Sequence, residues 1–223
     1  MKADDERGDL MAKLVVFGAT GYAGGKIGAE ALRRGHEVAG VARNAGSVPE
    51  GVDERQGSLH DEELVAQVAK DADVIVVATP ARAIDGKKLI DAVPGLVRVA
   101  RENGARLSFV GGAASLLVAE GGPRLFDTPE FPDEYKDEAG SHAEVLSLLR
   151  EQPEDLDWFY VSPAAEFGAW TAGERKGEFR IGGDVLLTDE NGKSHIGGDD
   201  FATAYVDEIE QPKHRRARFT VAY

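Results

Sequence analysis

Gly18-Ala19-Thr20-Gly21-Tyr22-Ala23-Gly24 follows directly on the apolar run Leu14–Phe17 and leads into an amphipathic segment, Gly25–Arg34. Residues without side chains at a strand-to-helix junction let the backbone approach an anion, and the first amides of the helix carry the positive end of its dipole. In this context the pattern is a dinucleotide fingerprint, with Gly18, Thr20, Gly21, Tyr22, Ala23 and Gly24 as candidate pyrophosphate-binding residues. About 20 residues further on, where Asp or Glu would accept a hydrogen bond from an adenosine ribose, the chain reads Val41-Ala42-Arg43-Asn44. An Arg fork with no competing carboxylate pairs a 2′-phosphate, so Arg43 tips the expectation toward NADP (NADPH) over NAD. Ser58 and Leu59, ahead of a helical stretch, and Ala78-Thr79-Pro80, at the end of the apolar run Asp73–Ala78, should border the same ligand.

Proton-transfer residues are harder to find. A Tyr and a Lys four apart on one helix would form a phenol–ammonium couple able to pass a proton. The literal match, Tyr22 and Lys26, begins inside the phosphate loop and is a coincidence of spacing; the helix expected at Glu134–Glu151 offers Tyr135 with Ala139 four residues on. Ser115 and His142 remain as candidate catalytic groups. For Ser115, a functional role and a turn or cap role both stand open. For His142, polarising an acceptor stands beside an incidental place on a helix. His60, His142 and His195 show no metal-ligand spacing, and there is no Cys, which removes thiolate metal sites, disulfides and cysteine nucleophiles by inventory.

Composition bounds the partners. Forty Asp plus Glu against 26 Lys plus Arg give a net charge of −14 over 223 residues. Such a balance repels nucleic-acid backbones and anionic lipid surfaces, and no apolar run approaches the ~18 residues of a membrane span. Neither nucleic acid nor membrane is expected as a partner. Residues 1–11 read as a disordered lead without the apolar core of a secretory signal, which together with the absent cysteine and the acidic balance points to a cytoplasmic protein; its oligomeric state, monomer or homodimer, is left open by the sequence.

The positioning elements alternate. Strands are expected at Leu14–Phe17, His36–Val41, Asp73–Ala78, Arg106–Val110 and Asp157–Val161. Helices are expected at Gly25–Arg34, His60–Lys70, Ile84–Asn103 with a break or kink at Pro94, and Glu134–Glu151. This is the pattern of an α/β doubly wound parallel sheet, an NAD(P)-binding Rossmann fold spanning residues 12–223 as one domain. Residues 164–223 should add a small hairpin and helix region on the substrate side. The hairpin is placed at Asp184–Thr188 and Lys193–Ile196 around Asn191-Gly192, the helix at Asp199–Glu210 capped by Asp199 or Asp200, and a last strand at Arg218–Tyr223. The Gly- and Pro-containing connection Leu116–Asp133 is long enough to cover a site. Phe126, Phe131, Tyr135, Phe167 and Trp170 fall in segments expected to overhang the carboxyl edge of the sheet.

Gly18–Gly24, Gly111-Gly112-Ala113-Ala114-Ser115-Leu116, Asp127-Thr128-Pro129-Glu130-Phe131-Pro132, Leu156-Asp157-Trp158, Ser162-Pro163-Ala164-Ala165 and Arg218–Tyr223 together resemble the NADH-flavin reductase family of atypical short-chain dehydrogenases. That family is related to NmrA-like proteins and to biliverdin reductase B. The resemblance implies a nicotinamide cofactor and hydride transfer to a small planar acceptor, flavin or quinone-like, with flavin as substrate rather than bound cofactor. Hydride transfer to a flavin needs stacking and proximity more than a dedicated acid, so the missing Tyr/Lys couple does not exclude it. A non-catalytic NADP(H)-binding sensor of the NmrA kind is the alternative. A sugar-nucleotide epimerase or dehydratase, a third reading, would need that missing couple.

Overall fold

Strands whose two faces are both covered carry uninterrupted apolar runs, and β1 (Lys13–Phe17) shows why. Leu14 and Val16 pack into one core with Ile27, Phe159, Phe201 and Tyr205, whereas Val15 and Phe17 pack into another with Ile75, Val93, Leu96, Phe109 and Tyr160. The computed structural model describes residues 11–44, 46, 48–171 and 173–223. Most of the N-terminal lead, residues 1–10, lies outside the described residues.

Around β1 lie β2 (Glu37–Ala42), β3 (Asp53–Gln56), β4 (Val74–Val77), β5 (Arg106–Val110), β6 (Trp158–Ser162), β7 (Arg180–Gly182) and β8 (Ala217–Ala222), in the order β3-β2-β1-β4-β5-β6-β8-β7. All neighbours run parallel except the β7/β8 pair. Helices α1 (Tyr22–Arg33) and α5 (Gly198–Glu210) pack against each other on one face. On the other lie α2 (Glu62–Val68), α3 (Leu89–Asn103) and α4 (Lys136–Arg150). The doubly wound Rossmann-type α/β fold is therefore as the sequence implied. Chain order reverses between β1 and β4, and at such a switch point a crevice opens above the carboxyl ends of the strands.

Several local expectations give way. Asp53–Gln56 is a charged edge strand without apolar alternation, so periodicity gave no sign of it. Residues 84–88 are not helical: Ile84 and Lys87 exchange backbone hydrogen bonds of 2.9 and 3.1 Å across Asp85-Gly86. Both turn residues have left-handed φ (53° and 77°), the mirror-image hairpin that Asp-Gly favours. Pro94 does not break α3, which runs unbroken through it from Leu89 to Asn103.

The expected hairpin at Asp184–Ile196 keeps its turn but not its strand pairing. Asp189 N donates to Lys193 O at 2.7 Å, while Val185 bridges to Leu117 and His195 to Glu166. The strand added here is instead β7, antiparallel to β8. Neither Asp199 nor Asp200 caps α5. Gly197 is the N-cap, Asp199 pairs with Lys26, and Asp200 accepts the Lys176 and Gly177 amides and the Tyr223 hydroxyl.

Candidate functional site: a cleft at the switch point

The glycine loop is bent by contacts that leave no room for side chains. Gly18 has φ 83°, and a Cβ there would stand 2.3 Å from the Ala78 carbonyl oxygen; one on Gly24 would stand 2.3 Å from that of Gly18. Gly21 differs. Its backbone is extended (φ −76°, ψ 164°) and a Cβ would meet the Gly18 oxygen at 3.2 Å and the Ala78 oxygen at 3.9 Å, so the protein itself demands glycine less strictly there than at Gly18 or Gly24. Gly21 is the N-cap of α1, which has no side-chain cap and no acidic residue in its first turn. By contrast, Asp61 caps α2 by accepting the Glu63 and Leu64 amides, with Glu62 and Glu63 in the first turn. The positive end of α1 is thus left for an external anion.

Above this loop lies a cavity of about 410 Å3 lined by Gly18, Thr20, Gly21, Arg43, Ser58, Leu59, Ala78, Thr79 and Pro80, all expected from sequence. The fold brings these together because β1, β2 and β4 end side by side. Tyr22, Ala23 and Gly24 form the first turn of α1 beneath it. The Tyr22 hydroxyl accepts the Gly198 amide at 3.0 Å and Lys26 Nζ lies 2.8 Å from Asp199, so this Tyr/Lys spacing serves α1–α5 docking.

His60, Arg82, Ile84, Asp85 and Lys87 also line the cavity and escaped the sequence reading. The Asp85-Gly86 dipeptide was the available signal, a hairpin turn hidden by apolar spacing that extended the helix backward. Three cations, Arg43, Arg82 and Lys87, thus meet one carboxylate, Asp85, among the lining residues of a chain with net charge −14. Burial and the neighbouring Lys87 lower the pKa of His60, favouring its neutral form. Thr79 Oγ1 is buried without a hydrogen-bond partner among the described residues, a polar atom of the kind a ligand satisfies. The free helix terminus, the cradle a Cβ at Gly21 would fill and this unpaired hydroxyl all fit a dinucleotide.

The candidate catalytic groups are engaged separately. The Ser115 hydroxyl accepts from Arg218 Nη1 at 2.8 Å, Arg218 being held by Asp184. Ser115 lines a second cavity of about 490 Å3 between its loop and α4, together with Phe126, Ala139 and Ser147. His142 on α4 has Nδ1 3.2 Å from the Tyr160 hydroxyl and Nε2 3.1 Å from Glu138. Glu138 also accepts the Ala81 and Arg82 amides at 2.7 and 3.1 Å, which ties α4 to the cavity wall. Burial alone would raise the Glu138 pKa, but hydrogen bonds from His142 and the two amides outweigh it and hold the carboxyl at about 2. Burial pushes the Tyr160 phenol up, and its ring fills the space over Gly111, where a Cβ would come within 1.9 Å. The i, i+4 spacing of Glu138 and His142 was legible in the sequence; the place of Tyr160 between two strands was not.

The aromatic residues divide in the same way. Phe167 packs on Phe201 (ring centroids 4.5 Å apart) and Tyr22 (5.4 Å), and Phe126 pairs with Phe131 (5.5 Å). Trp170, 77 % exposed, lies over Gly168, where a Cβ would be 2.2 Å from the indole.

Fold and cleft together are those of an NAD(P)H-binding protein. The chain belongs to the NAD(P)H-binding family, whose pattern it matches over residues 18–212. It is 38% identical over 213 residues to the uncharacterized protein YwnB of Bacillus subtilis (strain 168), covering 94% of this chain and 97% of that one. The crystal structure of a "putative exported protein" from Burkholderia pseudomallei is 40% identical with a TM-score of 0.83, covering 96% of this chain and 100% of that one. A "putative NADH-flavin reductase" from Streptococcus pneumoniae TIGR4 is 32% identical with a TM-score of 0.78, covering 95% and 99%.

Proposed function

We propose that this protein is a reductase that binds NADPH in preference to NADH and passes a hydride to a small planar acceptor, a flavin or quinone-like ring. The observation that carries the reading is Arg43 at the end of β2, lining the cavity above the glycine loop, where an NAD-selective site would place a carboxylate. The name of the Streptococcus relative favours flavin as acceptor. The bound nucleotide supplies the hydride. The chain's part is to seat the pyrophosphate on α1, hold the ribose beside Arg43 and present the reacting ring to an acceptor at the carboxyl edge. Proximity and stacking are then the main catalytic contributions, with solvent as proton source.

A second reading, an NADP(H)-binding sensor without turnover, is favoured by one observation: the Ser115 hydroxyl and both His142 ring nitrogens already have protein partners. One experiment separates the two. NADPH and NADH oxidation is followed with FMN, FAD, a quinone and biliverdin as acceptors, beside calorimetric titration of both cofactors. Turnover with FMN or the quinone, faster with NADPH, is the expected result. Tight NADPH binding with no turnover on any acceptor would establish the sensor instead.

A further inference from the structure

The Ile84–Lys87 hairpin sets a carboxylate across the mouth of the cavity from Arg43. Asp85 Oδ2 lies 3.0 Å from Arg43 Nη1, although the residues stand 42 apart in sequence. The two side chains are 87% and 58% exposed, so the pair is weak and easily exchanged. Asp85 has φ 53° and Gly86 φ 77°, so the turn demands a residue that tolerates the left-handed region. Asn meets that demand as well as Asp, and the turn therefore does not account for the charge. Among the described residues lining the cavity, Asp85 is the one carboxylate, and it faces the guanidinium best placed to read an adenosine ribose.

We infer that Asp85 is a resident counter-ion for Arg43 and a determinant of cofactor selectivity. This rests on the dinucleotide reading of the cavity given above. A 2′-phosphate must take the guanidinium from Asp85 and then sits beside a displaced negative charge. A ribose with a free 2′-hydroxyl leaves the pair in place. Asp85 thus narrows a preference for NADPH that Arg43 alone would make steep, and keeps NADH usable.

The test is Asp85→Asn, which retains the turn and removes the charge. Calorimetry is run on the parent, Asp85→Asn, Arg43→Ala and the double variant with NADPH and NADH, and with adenosine 2′,5′-bisphosphate and 5′-AMP as fragment probes. Asp85→Asn should tighten NADPH and the bisphosphate by about twofold to fivefold at low ionic strength and leave NADH and 5′-AMP unchanged. The gain should shrink at roughly 0.5 M salt and be clearly smaller when Arg43 is also Ala, where only the direct repulsion of the phosphate by Asp85 is relieved. An unchanged NADPH-to-NADH ratio in Asp85→Asn would overturn the inference, as would an equal gain in the Arg43→Ala background. A parent that binds neither dinucleotide would overturn the reading of the cavity and this inference with it. That result is distinct from dinucleotide binding that is indifferent to Asp85.

Discussion

Gly18 and Gly21 stand three residues apart in one loop, yet the structure assigns them opposite sensitivities. Gly18→Ala places a Cβ 2.3 Å from the Ala78 carbonyl oxygen on a backbone at φ 83°. The left-handed conformation costs roughly 1–2 kcal/mol for an L residue, and relieving a contact with rigid backbone adds about 1–3 kcal/mol. For a chain of this length each kcal/mol lowers Tm by about 2–4 °C, so a drop of at least about 4 °C is expected. Gly21→Val sits on extended backbone, where its Cβ meets the Gly18 oxygen at 3.2 Å and the Ala78 oxygen at 3.9 Å, so its loss in Tm should be smaller than that of Gly18→Ala. Its side chain projects where the pyrophosphate should lie, and NADPH affinity should fall at least about tenfold, roughly 1.4 kcal/mol. Thermal unfolding and calorimetric titration of both variants give the two readouts. Parental NADPH affinity in Gly21→Val would refute the placement of the pyrophosphate, and a parental Tm in Gly18→Ala would refute the strain argument.

Replacing Arg43 by Ala should weaken NADPH by about 1–3 kcal/mol and NADH far less, measured by titration; equal losses would exclude Arg43 as the 2′-phosphate contact. Ser115→Ala and His142→Ala should each lower turnover less than about tenfold, and a hundredfold loss at unchanged NADPH affinity in either would mark a dedicated proton donor. Trp158 is buried and Trp170 exposed, so flavin quenching of tryptophan fluorescence should disappear in Trp170→Phe if the indole meets the acceptor; persistent quenching would remove it from the site. The Glu30 side chain, 2 % exposed, is held by Arg33, Arg34 and Arg175. Burial would raise its pKa, but the three guanidiniums bring it from 4.5 to about 2. The folded state therefore binds the proton less readily than the unfolded chain. The resulting stability is present above pH 4.5 and lost as pH falls from 4.5 through 2. Glu30→Gln should cost about 3 kcal/mol at neutral pH and flatten the acid limb of the unfolding free energy; an unchanged slope over that window would contradict the assignment.

The division between sequence and tertiary structure follows the range of the forces involved. Gly18–Gly24, the buried runs Leu14–Phe17 and Val74–Val77 and the amphipathic helices are local patterns. Steric freedom, period and capping act over a few residues, so the parallel sheet, the glycine cradle and Arg43 at the end of β2 could be read from the chain alone. Ser58, Leu59 and Thr79 were legible at one remove, because in a doubly wound sheet every strand delivers its following loop to the same edge. Sequence could not supply partners chosen across the fold. The partner of Ser115, Arg218, lies 103 residues away, and no local pattern names it. Tyr160 packs against Gly111 because β5 and β6 are neighbours in register, and it reaches His142 only because α4 crosses that face. The edge strands β3 and β7 lack the burial that creates an apolar period, so their pairing rests on backbone hydrogen bonds that any residue except proline can make. Asp85 meets Arg43 for the same reason: a local turn fixed the backbone, but only the pairing of β2 and β4 on either side of β1 placed a cation opposite it.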